Sequence, residues 1–152
     1  ILALPFPLDG LMSFEFWQED FHWICHKDDY PSGINEITAA DFELEQLMLL
    51  KDGHCLKDHA LNACKLQQTK VEEFSSASLY TLIQMVAGKM GTTLVPEMAL
   101  QQLVHNQPEI KAIHLNEPGP HRSIAFIIRP NYIKTKDIEI LMALFKTQLQ
   151  NA

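Results

Sequence analysis

Residues 78–105, SLYTLIQMVAGKMGTTLVPEMALQQLVH, carry the alternation that decides the fold. Leu79, Leu82, Ile83 and Val86 recur on one face at helical spacing, and Gly88 and Gly91 end that run. Residues 92–95 then read as a strand stopped by Pro96, and Pro96 opens a further helix to about His105.

Working outward, the same alternation continues in both directions. Upstream, residues 1–4 read as a short strand followed by the punctuated loop PFPLDG, and 14–19 and 21–26 read as extended. A turn is expected at 31–33, and Thr38 is placed to cap a short helix running to Glu45. Residues 47–50 form an apolar strand, the turn Lys51-Asp52-Gly53-His54 follows, and a helix is predicted over 55–68 with a strand at 71–74. Downstream, strands are predicted at 110–115 and 123–129, separated by the connector NEPGP. A last helix over 134–150 places Ile138, Leu141, Phe145 and Leu149 on one stripe. Repeated strand–helix–strand units make the class α/β, with a largely parallel sheet covered by helices.

Composition sets the outer bounds. The chain has 152 residues, 47% of them apolar and 20% charged, with only 6 Gly and 8 Pro, which suits one globular core and argues against disorder. Its longest apolar runs, such as IAFII at 124–128, fall far short of the roughly 18–20 residues a membrane helix needs. The net charge of −7 is uneven: residues 1–76 hold 14 acids against 5 Lys and Arg, and 77–152 hold 5 against 7. Such a balance repels phosphate backbones, so this stretch is not expected to grip DNA by bulk charge. Three cysteines make no disulfide framework, and the sequence shows no secretory leader, so free thiols in a reducing cytoplasm are expected. The strand-like start, ILAL, reads as the interior of a fold and suggests a piece of a longer chain.

Reactive side chains concentrate in DGHCLKDHALNAC, residues 52–64. Cys55 is expected in the first turn of a helix, where unpaired N–H groups and the positive end of the helix dipole favour a thiolate. His54 and Lys57 push the same way, and Asp52 and Asp58 push back. Cys64 lies nine positions on. In one continuous helix that is about 13.5 Å along the axis and about half a turn out of phase, whereas a disulfide needs Cα atoms about 4.4–6.8 Å apart. Either the two thiols never pair, or pairing forces the helix to unwind and repack. A metal reading of Cys55, His59, His54 and Cys64 lacks any CxxC or HxxxH pair, so no metal and no cofactor are expected. Cys25, inside FHWIC, fits a small buried apolar residue and is assigned no role. GxGxxG, GxxxxGK[ST] and GxSxG do not occur.

Gly53-His54-Cys55-Leu56-Lys57-Asp58 with Cys64 resembles the GHCLRD…C segment of the OxyR family, the peroxide-sensing branch of the LysR-type transcription regulators. The stretch SLYTLIQMVAGKMGTTLVPEMAL at 78–100 is similar to the serine-led helix, glycine turn and strand of LysR-type effector domains. HRSIAFIIRP at 121–130 resembles their late strand. The resemblance implies a periplasmic-binding-protein-like regulatory domain of two Rossmann-like sub-domains. Residues 1–17 and 122–152 would be the trailing part of an incomplete first sub-domain, and 18–121 the second. It implies that Cys55 is the peroxidatic cysteine, that Cys64 resolves it as a disulfide, and that Gly53, His54, Lys57 and Arg122 line the peroxide pocket or stabilise the thiolate. Lys57 stands where the family has arginine, keeping the charge and losing the planar fork. The implied partners are hydrogen peroxide, a homodimer or homotetramer, promoter DNA through a separate helix-turn-helix domain, and a glutaredoxin- or thioredoxin-type reductant, with no membrane. The implied role is regulation in the cytoplasm, not catalytic turnover. Two alternatives stand beside it: a LysR-type domain that binds a small metabolite, with incidental cysteines, and a thiol peroxidase, disfavoured because PxxxT-x2-C is absent.

Overall fold

The computed structural model describes residues 1–30, 33–41, 43–66 and 75–150. In chain order the strands and helices are β1 (Leu2–Leu4), β2 (Met12–Glu19), β3 (Phe21–His26), β4 (Glu36–Ile37), β5 (Leu49–Leu50), α1 (Cys55–Ala63) and β6 (Ser75–Ser76). They continue as α2 (Leu79–Ala87), β7 (Thr93–Pro96), α3 (Glu97–Leu103), β8 (Ile110–Leu115), β9 (Arg122–Ile128) and α4 (Thr135–Gln150). Two compact units emerge, one of residues 1–19 with 122–152 and one of residues 20–121.

The first unit is a three-stranded sheet, β1-β9-β2, with β9 antiparallel to both neighbours. Phe16, Ile124 and Phe126 point to the face that α4 covers, where Ile138 is buried and Met142 and Leu149 pack beside it. Phe145 closes the cluster, with its ring centroid 5.7 Å from Phe16 and 5.8 Å from Phe126. The contact stripe of α4 is therefore 138, 142, 145 and 149. Leu141, expected on it, lies about 60° to one side at 100° per residue.

The second unit centres on a four-stranded sheet, β4-β8-β3-β7. Successive residues of β3 alternate between its faces. Phe21, Trp23 and Cys25 join one apolar cluster with Ala60, Leu61 and Cys64 of the α1 segment. Ile24 joins a second with Leu82, Ile83 and Val86 of α2 and Leu100 of α3. The sheet is thus sandwiched between α1 on one side and α2 with α3 on the other.

Two sequence expectations differ from the structure. The sheet is not uniformly parallel: β4 and β8 run parallel, but β3 is antiparallel to both β7 and β8, so the central strand opposes the rest. Strand direction depends on which partner the chain reaches, and that is not encoded in local periodicity. The segment from Thr38 is not one helix but two 3-10 turns, Ala39–Asp41 and Leu44–Gln46. Thr38 and Asp41 satisfy each other there, the Asp41 carboxylate accepting both the N–H (2.9 Å) and the hydroxyl (2.7 Å) of Thr38, a closed local loop in competition with helix propagation. As the sequence predicts, α2 ends at Gly88, its C-cap, with Lys89 left-handed beyond it; Gly91 lies past the helix, where a β-carbon would collide with the Gln46 carbonyl. The strand expected at 71–74 and the last residues of the helix expected over 55–68 lie outside the described residues.

Candidate functional site

The turn at 51–54 and helix α1 build the site. Gly53 has φ +90°, a left-handed conformation that glycine adopts without penalty, and no atom crowds its missing side chain. Its glycine is required by the backbone bend, which turns the chain from β5 into α1. His54 is the N-cap residue in extended geometry, and its side chain makes no capping hydrogen bond. Cys55 is the first helical residue and is exposed. The positive end of the helix dipole therefore lies at a thiol that solutes can reach.

Cys64 caps the other end of α1 and is 5% exposed, packed in the cluster with Phe21, Leu61 and Leu115. Nine steps of 100° put it half a turn from Cys55, which is why one thiol meets solvent and the other the core. Burial, with a smaller contribution from the Glu117 carboxylate, pushes the Cys64 thiol up to about 12. Cys25 is fully buried on β3, and burial pushes its thiol up to about 11. All three cysteines are free.

Lys57, expected to stabilise the Cys55 thiolate, has Asp52 as its ionic partner. Residues two apart on a helix do not face each other, and the Lys57 side chain is 8% exposed with its ammonium 2.6 Å from Asp52. The pair ties the turn back onto the helix and so fixes where α1 begins. Asp52 was not anticipated as a partner, and the only sequence signal for it is an opposite charge five residues upstream of Lys57, across the N-cap. Asp58 is exposed in the first turn, and His59 is buried on α1.

Arg122 belongs to the first unit. It pairs across β2 and β9 with Glu19, its Nε 2.6 Å from a carboxylate oxygen that is fully buried. The structure thus brings Gly53, His54, Cys55, Lys57 and Cys64 together on one helix and its leading turn, and it gives Arg122 a separate ionic partner. Among the described residues no group of three or more His, Cys, Asp or Glu side chains is arranged to hold a metal ion.

His121, read from the sequence only as solvated or structural, serves the backbone. The buried imidazole of His121 accepts the Phe21 N–H at Nδ1 (2.8 Å), and its Nε2 lies 3.2 Å from the Glu117 carbonyl. Those two partners fix the tautomer with the proton on Nε2.

The profile of the LysR substrate binding domain matches residues 1–150. The chain is a LysR substrate-binding domain. Similar proteins include the HTH-type transcriptional regulator EstR of Acinetobacter baylyi, 33% identical over 147 residues, which takes in 96% of this chain and 48% of that protein. The DNA-binding transcriptional dual regulator OxyR of Escherichia coli is 33% identical over 105 residues, 68% of this chain and 34% of that protein. Among solved structures, the reduced form of the regulatory domain of OxyR2 from Vibrio vulnificus superposes with a TM-score of 0.80 at 32% identity, covering 97% of this chain and 69% of that one. This LysR domain spans about half the length of the curated relatives EstR and the Streptomyces viridosporus peroxide-gene activator. No helix among the described residues is long and apolar enough to cross a membrane.

Proposed function

We propose that this LysR domain is the peroxide-sensing regulatory part of a transcription activator of the OxyR type, working in the cytoplasm. The observation that carries the reading is the placement of two thiols on one short helix, Cys55 exposed at its first residue and Cys64 buried at its cap on the opposite face. The likeness to OxyR and OxyR2 supports it.

The Cys55 thiolate attacks one oxygen of hydrogen peroxide, the O–O bond breaks, and Cys55 becomes a sulfenic acid with hydroxide leaving as water. Cys64 sulfur then attacks the Cys55 sulfur, the S–O bond breaks, a second water leaves, and a disulfide remains. A dithiol reductant of the glutaredoxin or thioredoxin class restores both thiols by exchange. One peroxide is spent per activation, so the domain acts as a switch without sustained turnover.

Its own residues divide the work. Gly53 and His54 form the wall beside Cys55 at which peroxide is received. Lys57, through Asp52, holds the turn that presents Cys55. Cys64 waits as a neutral, buried thiol until α1 opens. Arg122 enters through its pairing with Glu19 in the first unit. The opening of α1 repacks the face of the second unit it covers, changes the geometry of a homodimer or homotetramer, and so alters how a separate helix-turn-helix domain meets promoter DNA. Residues 1–19 with 122–152 and residues 20–121 are read as the two regulatory sub-domains.

The test is a thiol count and peptide map of the reduced protein after one equivalent of hydrogen peroxide at neutral pH. Loss of two thiols with a Cys55–Cys64 linked peptide and an untouched Cys25 is expected. Cys55→Ser should abolish all loss, and Cys64→Ser should stop at a trappable sulfenic acid. Three intact thiols in folded protein contradict the reading. They would favour a second one, a small-metabolite effector domain with incidental cysteines, which the likeness to EstR along 96% of the chain keeps in view.

A further inference from the structure

Two lysines in the second unit hold a backbone conformation that L residues avoid, Lys65 at φ 53° and Lys89 at φ 59°. Each stands just past a helix cap. At the end of α1 the Leu66 N–H donates to the Leu61 carbonyl (2.9 Å) and the Lys65 N–H to the Asn62 carbonyl (3.1 Å). At the end of α2 the Met90 N–H donates to Met85 (3.0 Å) and the Lys89 N–H to Val86 (2.9 Å). This crossed pair of bonds is the Schellman closure, and its left-handed residue is usually glycine, because a β-carbon there crowds the backbone. The chain does use glycine at φ +78°, +100° and +90° in Gly10, Gly33 and Gly53. Lysine at 65 therefore leaves the closed end of α1 weaker than the same backbone would be with glycine.

Lys65 is also where that weakness has a consequence. It adjoins Cys64, whose N–H donates to the Ala60 carbonyl (3.2 Å). An α1 that unwinds from its C-terminal end to bring Cys64 within disulfide distance of Cys55 breaks this bond and the two closing bonds. The Lys65 side chain is exposed, so replacing it disturbs no core packing. We infer that Lys65 is a strained stop at the end of α1 that sets how readily the helix opens, and hence how fast Cys64 reaches an oxidised Cys55. The link to oxidation rests on the redox reading proposed above; the strained stop itself does not.

The experiment compares three substitutions in the intact protein. In reduced Lys65→Gly, amide hydrogen exchange across α1 should slow about fivefold, as relief of a left-handed β-carbon implies. The step from Cys55 sulfenic acid to disulfide, followed by rapid quenching, should slow by a similar factor. Lys65→Gln removes only the charge and should match the wild type in both. Lys89→Gly should slow exchange at the end of α2 and leave the disulfide step unchanged. Exchange across α1 within twofold of wild type in Lys65→Gly overturns the inference, as does slowed exchange with an unchanged disulfide step. Should the wild type form no Cys55–Cys64 disulfide at all, the redox reading falls, and exchange in Lys65→Gly against Lys89→Gly still decides whether the stop is strained.

Discussion

Helices α1 and α2 have the same length, nine residues, and the same crossed closure with lysine in the left-handed position, yet they are anchored differently. The α2 helix buries Leu82, Ile83 and Val86 almost completely. Each such side chain contributes about 1.5–3 kcal/mol on burial. The α1 helix buries Lys57, His59, Ala60 and Leu61, so two of its four buried side chains are polar, and Leu56 and Ala63 add only partly buried contacts. Equal geometry with unequal burial fits the proposed reading, in which α2 is fixed scaffold on its face of the sheet and α1 is the helix that opens. That both cysteines of the proposed pair lie at the ends of α1 is consistent with the asymmetry.

The contrast can be broken or sharpened in several ways. The largest effect belongs to the scaffold side, where Ile83→Ala should cost the second unit about 2–5 kcal/mol in urea denaturation. Next comes alkaline pH. Burial holds Cys64 and Cys25 neutral, so their stabilising contribution is complete below the ordinary thiol value of 9.0 and is lost as pH rises towards about 12 and about 11 respectively. Stability should therefore fall above pH 9 by about 1.4 kcal/mol per pH unit for each thiol. The loss belongs to the α1 side, because both thiols lie in its cluster, and Cys64→Ala with Cys25→Ala should remove the slope. Third, Asp52→Ala strands a buried ammonium and should destabilise α1 by about 1–2 kcal/mol, a value kept low because Asp52 itself is 80% exposed. The smallest change is expected for Lys57→Met, which makes α1 more like α2. Replacing a buried ion by an apolar chain of similar size should leave stability within about 1 kcal/mol or raise it, while slower exchange across α1 would mark the helix as harder to open.

Much of this was legible in the sequence where one face of an element meets the core. The spacing of Leu82, Ile83 and Val86 and the apolar, β-branched and aromatic runs at 21–26 and 123–129 each predict an element that the structure contains. The bend at Gly53 and the helical start at Cys55 were legible for the same local reason. What could not be read depends on distant partners. The antiparallel setting of β3 is decided by β7 and β8. The pairing of Arg122 with Glu19 joins residues 103 apart, and His121 meets the Phe21 N–H from 100 residues away. The 3-10 turns after Thr38 escaped because a threonine followed by acids suits a helix cap and a closed side-chain loop equally well. Lys57 escaped because a lysine in a helix is ordinarily solvated, and its pairing with Asp52 makes its burial tolerable.

The most direct test of the account is hydrogen exchange across residues 55–66, measured before and after one equivalent of hydrogen peroxide, with α2 as the internal reference. The α1 amides are expected to lose their protection as the Cys55–Cys64 disulfide forms, while residues 79–87 keep theirs. A linked Cys55–Cys64 peptide with α1 protection unchanged, or peroxide treatment that leaves both helices and all three thiols as they were, would contradict it.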